Sequence, residues 1–226
     1  MVTKQTQAIS IESVSKIIHN GTNKLDILKN ISFRVEKGES LAILGPSGCG
    51  KSTLLNILAG LDVPSSGIVR WYGKNISILG EEERAKMRNG VLGFVFQDFN
   101  LVNHITVLEN VMLPLELANL RNPKKVALGF LKTVGLDDRV SHLPKTLSGG
   151  EKQRVALARA FVANPDFIFA DEPTGSLDQN NGRVIENLLF DINEKSDTTL
   201  IVVTHDVRFA ERCSKRIKLT AGEVLT

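Results

Sequence analysis

The residues best placed to do chemistry lie in one run, Gly45-Pro46-Ser47-Gly48-Cys49-Gly50-Lys51-Ser52-Thr53. Its spacing matches G-x-x-x-x-G-K-[ST], the pattern of a loop that cradles a nucleotide's phosphates. Glycines let the backbone curl so that N–H groups face the phosphate oxygens. Lys51 then reaches the β- and γ-phosphates, and the Ser52 hydroxyl ligates Mg²⁺. Three further sets of polar groups each follow an apolar run. Asp171 and Glu172 follow Phe167–Ala170, Gln97 follows Gly93–Phe96, and His205 follows Leu200–Thr204. In open α/β sheets the carboxyl ends of the strands are where ligands sit. Finally, Ser148-Gly149-Gly150 fits the start of a helix running through Val155, Leu157 and Ala160. A helix start presents unpaired N–H groups and suits an anion. Alone, each of these could be an ordinary N-cap, a solvated acidic turn or polar surface.

Together they follow one order. Leu147-Ser148-Gly149-Gly150-Glu151-Lys152-Gln153-Arg154 resembles the signature sequence of the ATP-binding-cassette (ABC) ATPases. The resemblance covers nearly the whole chain, from about Ile9 onward. It implies that Asp171 holds Mg²⁺ and that Glu172 polarises the attacking water. It implies that Gln97 senses both metal and water, and that His205 contacts the γ-phosphate. Ser176-Leu177-Asp178 is similar to the loop that passes between two nucleotide sites. Lys51 and Ser148 are remote within one subunit of this family. One P-loop and one signature per chain therefore imply a head-to-tail homodimer around two shared ATP, with Ser148, Gly149 and Gly150 closing over the partner's nucleotide. Ile18 stands where the family usually stacks an aromatic residue on adenine, which leaves base discrimination weak unless Tyr72 or His19 takes that role.

Apolar patterning supplies the frame. Runs near 41–44, 92–96, 167–170 and 199–203 read as buried parallel strands. Ile9–Val14, Ile27–Val35 and Ile68–Tyr72 read as an antiparallel sheet. From Asp98 to Pro165 strand signals vanish, and Val126, Phe130, Leu131 and Val134 repeat at helical spacing, as do Val184, Leu188 and Ile192. The expected class is α/β: a P-loop NTPase (RecA-like) core with an antiparallel β subdomain and an α-helical signature subdomain. A single domain is expected over 1–226, with the core and β subdomain at about 1–97 and 166–226 and the helical subdomain at about 98–165. Phe99, Leu101 and Val102 either pack inside that subdomain or line a groove for a cytoplasmic helix of a membrane partner.

Composition is that of an ordinary globule: 42% hydrophobic, 23% charged, with 28 basic and 25 acidic residues giving net +3. That charge is too mild to argue for nucleic acid as a partner. No apolar run approaches a membrane span, and no signal-peptide core is present. The two cysteines, Cys49 and Cys213, do not suggest a disulfide framework. The helix N-terminus beside Cys49 is expected to make its thiol reactive.

Gly60–Gly67, Thr106–Val111 and Asp171–Asp178 (DEPTGSLD) narrow the resemblance. They resemble the group of lipoprotein-releasing (LolD-type), macrolide-export (MacB-type), cell-division (FtsE-type) and YbbA-type ATPases, and YbbA-type most. The implied role is an Mg-dependent ATPase, peripheral on the cytoplasmic face of the inner membrane, working on an integral permease-like subunit. Ser176 departs from the Asn usual in that group. A polar amino-acid importer ATPase is the alternative, although Gly175 argues against it. A non-transport ABC ATPase is the remaining alternative, although this sequence shows neither the long coiled-coil insertion nor the second cassette that would mark one.

Overall fold

The computed structural model describes residues 7–21 and 23–225. The ends of the domain expected over 1–226, residues 1–6 and 226, lie outside the described residues, as does residue 22. In chain order the elements are β1 (Gln7–Asn20), β2 (Asn23–Glu36), β3 (Ser40–Leu44), α1 (Lys51–Leu58), β4 (Ser66–Trp71), β5 (Lys74–Asn75), α2 (Glu81–Arg88) and β6 (Leu92–Val95). They continue with α3 (Val107–Leu117), α4 (Pro123–Thr133), a 3-10 turn (Pro144–Thr146), α5 (Gly149–Phe161), β7 (Phe167–Asp171) and α6 (Gln179–Ser196). The chain finishes with β8 (Thr199–Thr204), α7 (Val207–Glu211), β9 (Lys215–Thr220) and β10 (Glu223–Leu225). This is the mixed α/β order expected from the sequence. Its described residues group into two compact units, one within 1–88 and 199–226 and the other within 89–198.

In the first unit β1 pairs antiparallel with both β2 and β4. β1 is longer than its apolar run, and its pairing carries irregularities between Ile11 and Ile17. At such bulges alternation breaks, so the sequence pattern stops near Val14 although the strand does not. A second set of strands runs β10-β9-β3-β8, with β3 parallel to both β8 and β9. All of β8 is buried, as are Leu41, Ala42 and Ile43 of β3. Strands covered on both faces lose alternation and become continuous apolar runs. The Trp71 indole donates to the Leu58 carbonyl at 2.9 Å, tying β4 to the end of α1.

In the second unit β6 and β7 pair in parallel, in register Leu92↔Phe167 through Val95↔Ala170. α5 crosses closely over them: a Cβ on Gly93 would lie 2.1 Å from the Ala160 carbonyl, so only glycine fits. Val155–Ala158, Ala160 and Phe161 of α5 are buried. α3 opens on a capping box in which Thr106 and Glu109 satisfy each other's backbone N–H groups. Asn110, fully buried, accepts from the Val102 N–H at 2.8 Å and donates to the carbonyls of Val102, Ile105 and Thr106. That one amide fixes the loop entering α3.

Candidate functional site: a phosphate loop and four strand-end groups

β3 ends at Leu44, directly opposite Thr204 of β8. Gly45 and His205 therefore leave adjacent parallel strands at the same level. The loop from Gly45 to Gly50 turns through two left-handed residues, Gly48 (φ 77) and Gly50 (φ 101). A Cβ at Gly50 would also sit 2.8 Å from the Ile27 carbonyl oxygen, so this position requires glycine twice over. Gly50 caps α1 without a side-chain hydrogen bond, and no acidic residue occupies the first turn. The helix thus begins with backbone N–H groups and no carboxylate in its own first turn, the arrangement that favours an anion.

Lys51 is buried, and its Nζ donates to the carbonyls of Gly45 and Pro46, both at 3.0 Å. The ammonium is thereby held over the loop that would receive the phosphates. Pro46, Ser47, Gly48 and Ser52 are exposed, and Thr53 is half-buried. Cys49 is buried, only 7% exposed, which departs from the accessible, reactive thiol expected from its place in the loop.

His205 is exposed between two anchored residues. Thr204 Oγ1 accepts from the Asp206 N–H at 3.0 Å, and Asp206 caps α7 by accepting from Arg208 N–H at 2.8 Å and Phe209 N–H at 3.4 Å. Ile18 is 46% exposed on β1, in register with Leu25.

In the second unit, parallel pairing sends Gln97 and the Asp171–Glu172 pair off neighbouring strand ends. Gly175 marks where they meet: a Cβ there would lie 3.3 Å from Gln97 Nε2 and 3.3 Å from Glu172 Cβ. Glu172 has φ 45, a left-handed conformation that a non-glycine residue adopts only when its surroundings impose it. The fixing contacts follow at once. Gly175 N–H donates to the Glu172 carbonyl at 2.9 Å, Ser176 Oγ donates to the Gln97 carbonyl at 3.0 Å, and buried Gln153 of α5 donates to the Pro173 carbonyl at 2.6 Å. Ser176, the departure from the group's usual Asn, thus ties the Gln97 backbone to the loop after Glu172.

Ser148 is the N-cap of α5 and forms a capping box with Glu151. The Glu151 carboxylate accepts from Ser148 N–H at 2.8 Å, Ser148 Oγ–H at 2.9 Å and Arg139 Nε–H at 3.0 Å. The Ser148 N–H bond, the Ser148 hydroxyl and Arg139, in that order, hold this carboxyl below its usual range. Gly150 is buried, and a Cβ there would meet Asn181 Oδ1 at 2.9 Å. Asn181 in turn donates to Asp178, the N-cap of α6; that bond and the backbone N–H groups around it depress the Asp178 carboxyl. Sequence reasoning does not find Glu151, Arg139, Gln153 or Asn181 as parts of the site. The S-x-x-E spacing of Ser148 and Glu151 is a readable signal; Arg139 and Gln153 act over sequence distances that leave none, and Asn181 meets Gly150 from a different helix. Phe99, Leu101 and Val102 are half-buried. Among the described residues no group of three or more His, Cys, Asp or Glu could hold a metal, and no helix is long and apolar enough to cross a membrane.

Comparison with known proteins agrees on one family. The family model described as ABC transporter matches residues 28–175. The ABC transporter ATP-binding protein MJ1508 of Methanocaldococcus jannaschii is 48% identical over 219 residues, covering 96% of this chain and 97% of that one. YbbA of Escherichia coli is 47% identical over 221 residues, and the lipoprotein-releasing system ATP-binding protein LolD of Legionella pneumophila 42% over 218, each covering 96% of both chains. Among solved structures, the cassette MJ0796, determined as a dimer in a post-hydrolysis state with ADP and Pi, superposes with a TM-score of 0.89 at 41% identity, covering 96% of this chain and 97% of that one. A loop built to receive phosphates, strand-end groups on the β3/β8 and β6/β7 pairs, and this similarity over nearly the full length together make the chain a P-loop ATPase of the ABC transporter family.

Proposed function

We propose that two copies of this chain pair head to tail around two ATP molecules and that hydrolysis moves a transmembrane partner of the lipoprotein-release or macrolide-export type. The observation that carries the catalytic part is the meeting of Gln97 and Glu172 around Gly175, below the ends of a parallel strand pair. In this reading the Gly45–Ser52 backbone and Lys51 bind the β- and γ-phosphates. Glu172 orients and deprotonates the attacking water, Gln97 holds that water's other side, and His205 fixes the γ-phosphate in line. Ser148, Gly149 and Gly150 of the second copy present the N-terminus of α5 to the same γ-phosphate. Catalysis is then positioning and charge stabilisation, as phosphoryl transfer requires.

The Ser52 hydroxyl, the Gln97 amide oxygen and the Asp171 carboxylate are hard oxygen donors, a set with few carboxylates that suits Mg²⁺ sharing its shell with water and phosphate. Bound there, Mg²⁺ would neutralise charge on the β- and γ-oxygens. The dimer is supported by the dimeric form of the MJ0796 cassette, and the partner type by the 42% identity to LolD over 96% of both chains. No helix among the described residues could itself span a bilayer, which fits a peripheral subunit at the cytoplasmic face.

Mixed subunits test the pairing. Ser148→Arg places bulk and charge on the signature face, and Lys51→Ala removes the phosphate lysine. Each variant alone should lose nearly all turnover. Their mixture should regain one complete composite site, and with it measurable ATPase activity. A mixture in which both subunits fold but no activity returns at any ratio contradicts head-to-tail sharing.

A further inference from the structure

Arg159 stands in the last turn of α5, where a long charged side chain normally reaches water. Here it turns inward. It donates from Nη1 to the Asn100 carbonyl at 2.7 Å and from Nη2 to the Phe99 carbonyl at 3.0 Å. Burial pulls its guanidinium below the ordinary value. The two residues it grips are unusual. Phe99 (φ 64) and Asn100 (φ 46) are consecutive non-glycine residues in the left-handed region, a conformation that needs outside support. They lie two and three residues after Gln97. On the other side, Gln97 is fixed by the β6 register and by the Ser176 hydroxyl on its carbonyl.

α5 therefore acts as a strut between two functional segments. Its first residues carry the signature, and Arg159 lies eleven residues beyond Ser148, about 16 Å along the axis at the usual rise per residue. Gln153, between them, holds the Pro173 carbonyl next to Glu172. A fork of two N–H donors on two successive carbonyls transmits both position and orientation.

We propose that Arg159 is a positioning residue that sets the aim of Gln97 through the Phe99 and Asn100 carbonyls and makes that aim follow any movement of the signature helix. This rests on the reading of Gln97 as a metal- and water-facing group. The strained turn is the part that responds: when α5 shifts, the two carbonyls shift with it, and the Gln97 side chain swings relative to Glu172.

A double-mutant cycle tests it. Steady-state ATPase activity is measured for Arg159→Met, Gln97→Ala and the double variant, with Mg²⁺ varied, and ATP affinity is measured separately in EDTA. Arg159→Met should lower kcat on the order of 10- to 100-fold, the scale of a misplaced positioning group, and raise the Mg²⁺ concentration for half-maximal rate. ATP binding without metal should stay within about twofold, since the phosphate loop is untouched. Arg159→Lys should restore part of the loss. In the Gln97→Ala background Arg159→Met should cost nothing further, because coupled residues fail to add. An equal loss in that background, or a parallel loss of metal-free ATP binding, would show that Arg159 only supports the fold. Wild-type turnover by Gln97→Ala would instead overturn the reading of Gln97 itself. Thermal melting checks that each variant folds; if Arg159→Met does not, Arg159→Lys takes its place in the cycle, with a smaller loss of kcat expected, the same absence of further loss in the Gln97→Ala background, and the same results overturning the proposal.

Discussion

Replacing Glu151 by alanine should destabilise the protein and blunt its ATPase activity together, and the size of the effect can be worked from three bonds. The Glu151 carboxylate accepts from the Ser148 N–H and hydroxyl at 2.8 and 2.9 Å and from Arg139 at 3.0 Å. Losing half of a capping box costs about 1 kcal/mol, within a range of roughly 0.5–2. The ion pair with half-exposed Arg139 adds about 0.2–1 kcal/mol. The sum is about 1–2 kcal/mol. For a chain of this length each kcal/mol moves the melting midpoint by about 2–4 °C, so Tm should fall by about 2–8 °C. The Ser148 hydroxyl also loses the acceptor that orients it, so kcat should drop even at temperatures where the variant is fully folded. Differential scanning calorimetry and steady-state ATPase measurements read the two effects. A Tm within 1 °C of wild type would refute the energetic argument. A lowered Tm with unchanged kcat at 25 °C would refute the link between the cap and the signature.

The pH dependence has a definite sign. The folded protein holds the Glu151 and Asp178 carboxyls below their ordinary values of 4.5 and 3.8, so they contribute stability that is complete above those values and lost as pH falls through the depressed ones; acid unfolding of Glu151→Gln should accordingly be less steep than that of wild type between those limits. Exposed Ile18 offers no ring to a base, so ATP and GTP should be hydrolysed with similar KM, and Ile18→Tyr should tighten ATP by about 1–3 kcal/mol if it reaches adenine; a strong ATP preference in wild type would count against that position. Buried Cys49 should react with maleimide slowly in the native protein and at the unfolding rate under mild denaturant; fast stoichiometric labelling of the native chain would contradict its burial.

Much of the frame is legible because buried parallel strands leave continuous apolar runs. β3, β6, β7 and β8 each lie within a residue or so of the runs Leu41–Leu44, Leu92–Phe96, Phe167–Ala170 and Thr199–Val203. The strand-end groups are legible for the same reason, since each polar residue follows the last apolar one. β1 outlasts its apolar pattern because bulges between Ile11 and Ile17, with Ser13 at φ 51, break the alternation that marks a strand. α2 (Glu81–Arg88) leaves no periodic trace because none of its residues is buried, so it carries no apolar stripe; its support is Glu81 held by Arg84 and Arg88. The contacts that aim the site are illegible for a different reason. Gln153, Arg159 and Asn110 bind backbone carbonyls, and every residue has one, so no side-chain pattern names their partners. A half-buried arginine that grips backbone carbonyls and a surface arginine look the same in a sequence.

The most direct test of the account is the ATP-dependent association of Glu172→Gln. The substitution keeps the side chain's size and removes its basicity, so ATP should still bind while turnover falls by on the order of 10²–10⁴, the contribution of a positioned base. Gel filtration with Mg-ATP should then show a stable dimer that disappears when ATP is withdrawn, whereas wild type under the same conditions hydrolyses its ATP and elutes as monomer. Full turnover by Glu172→Gln, or a variant that binds ATP and remains monomeric at every concentration, would contradict the account.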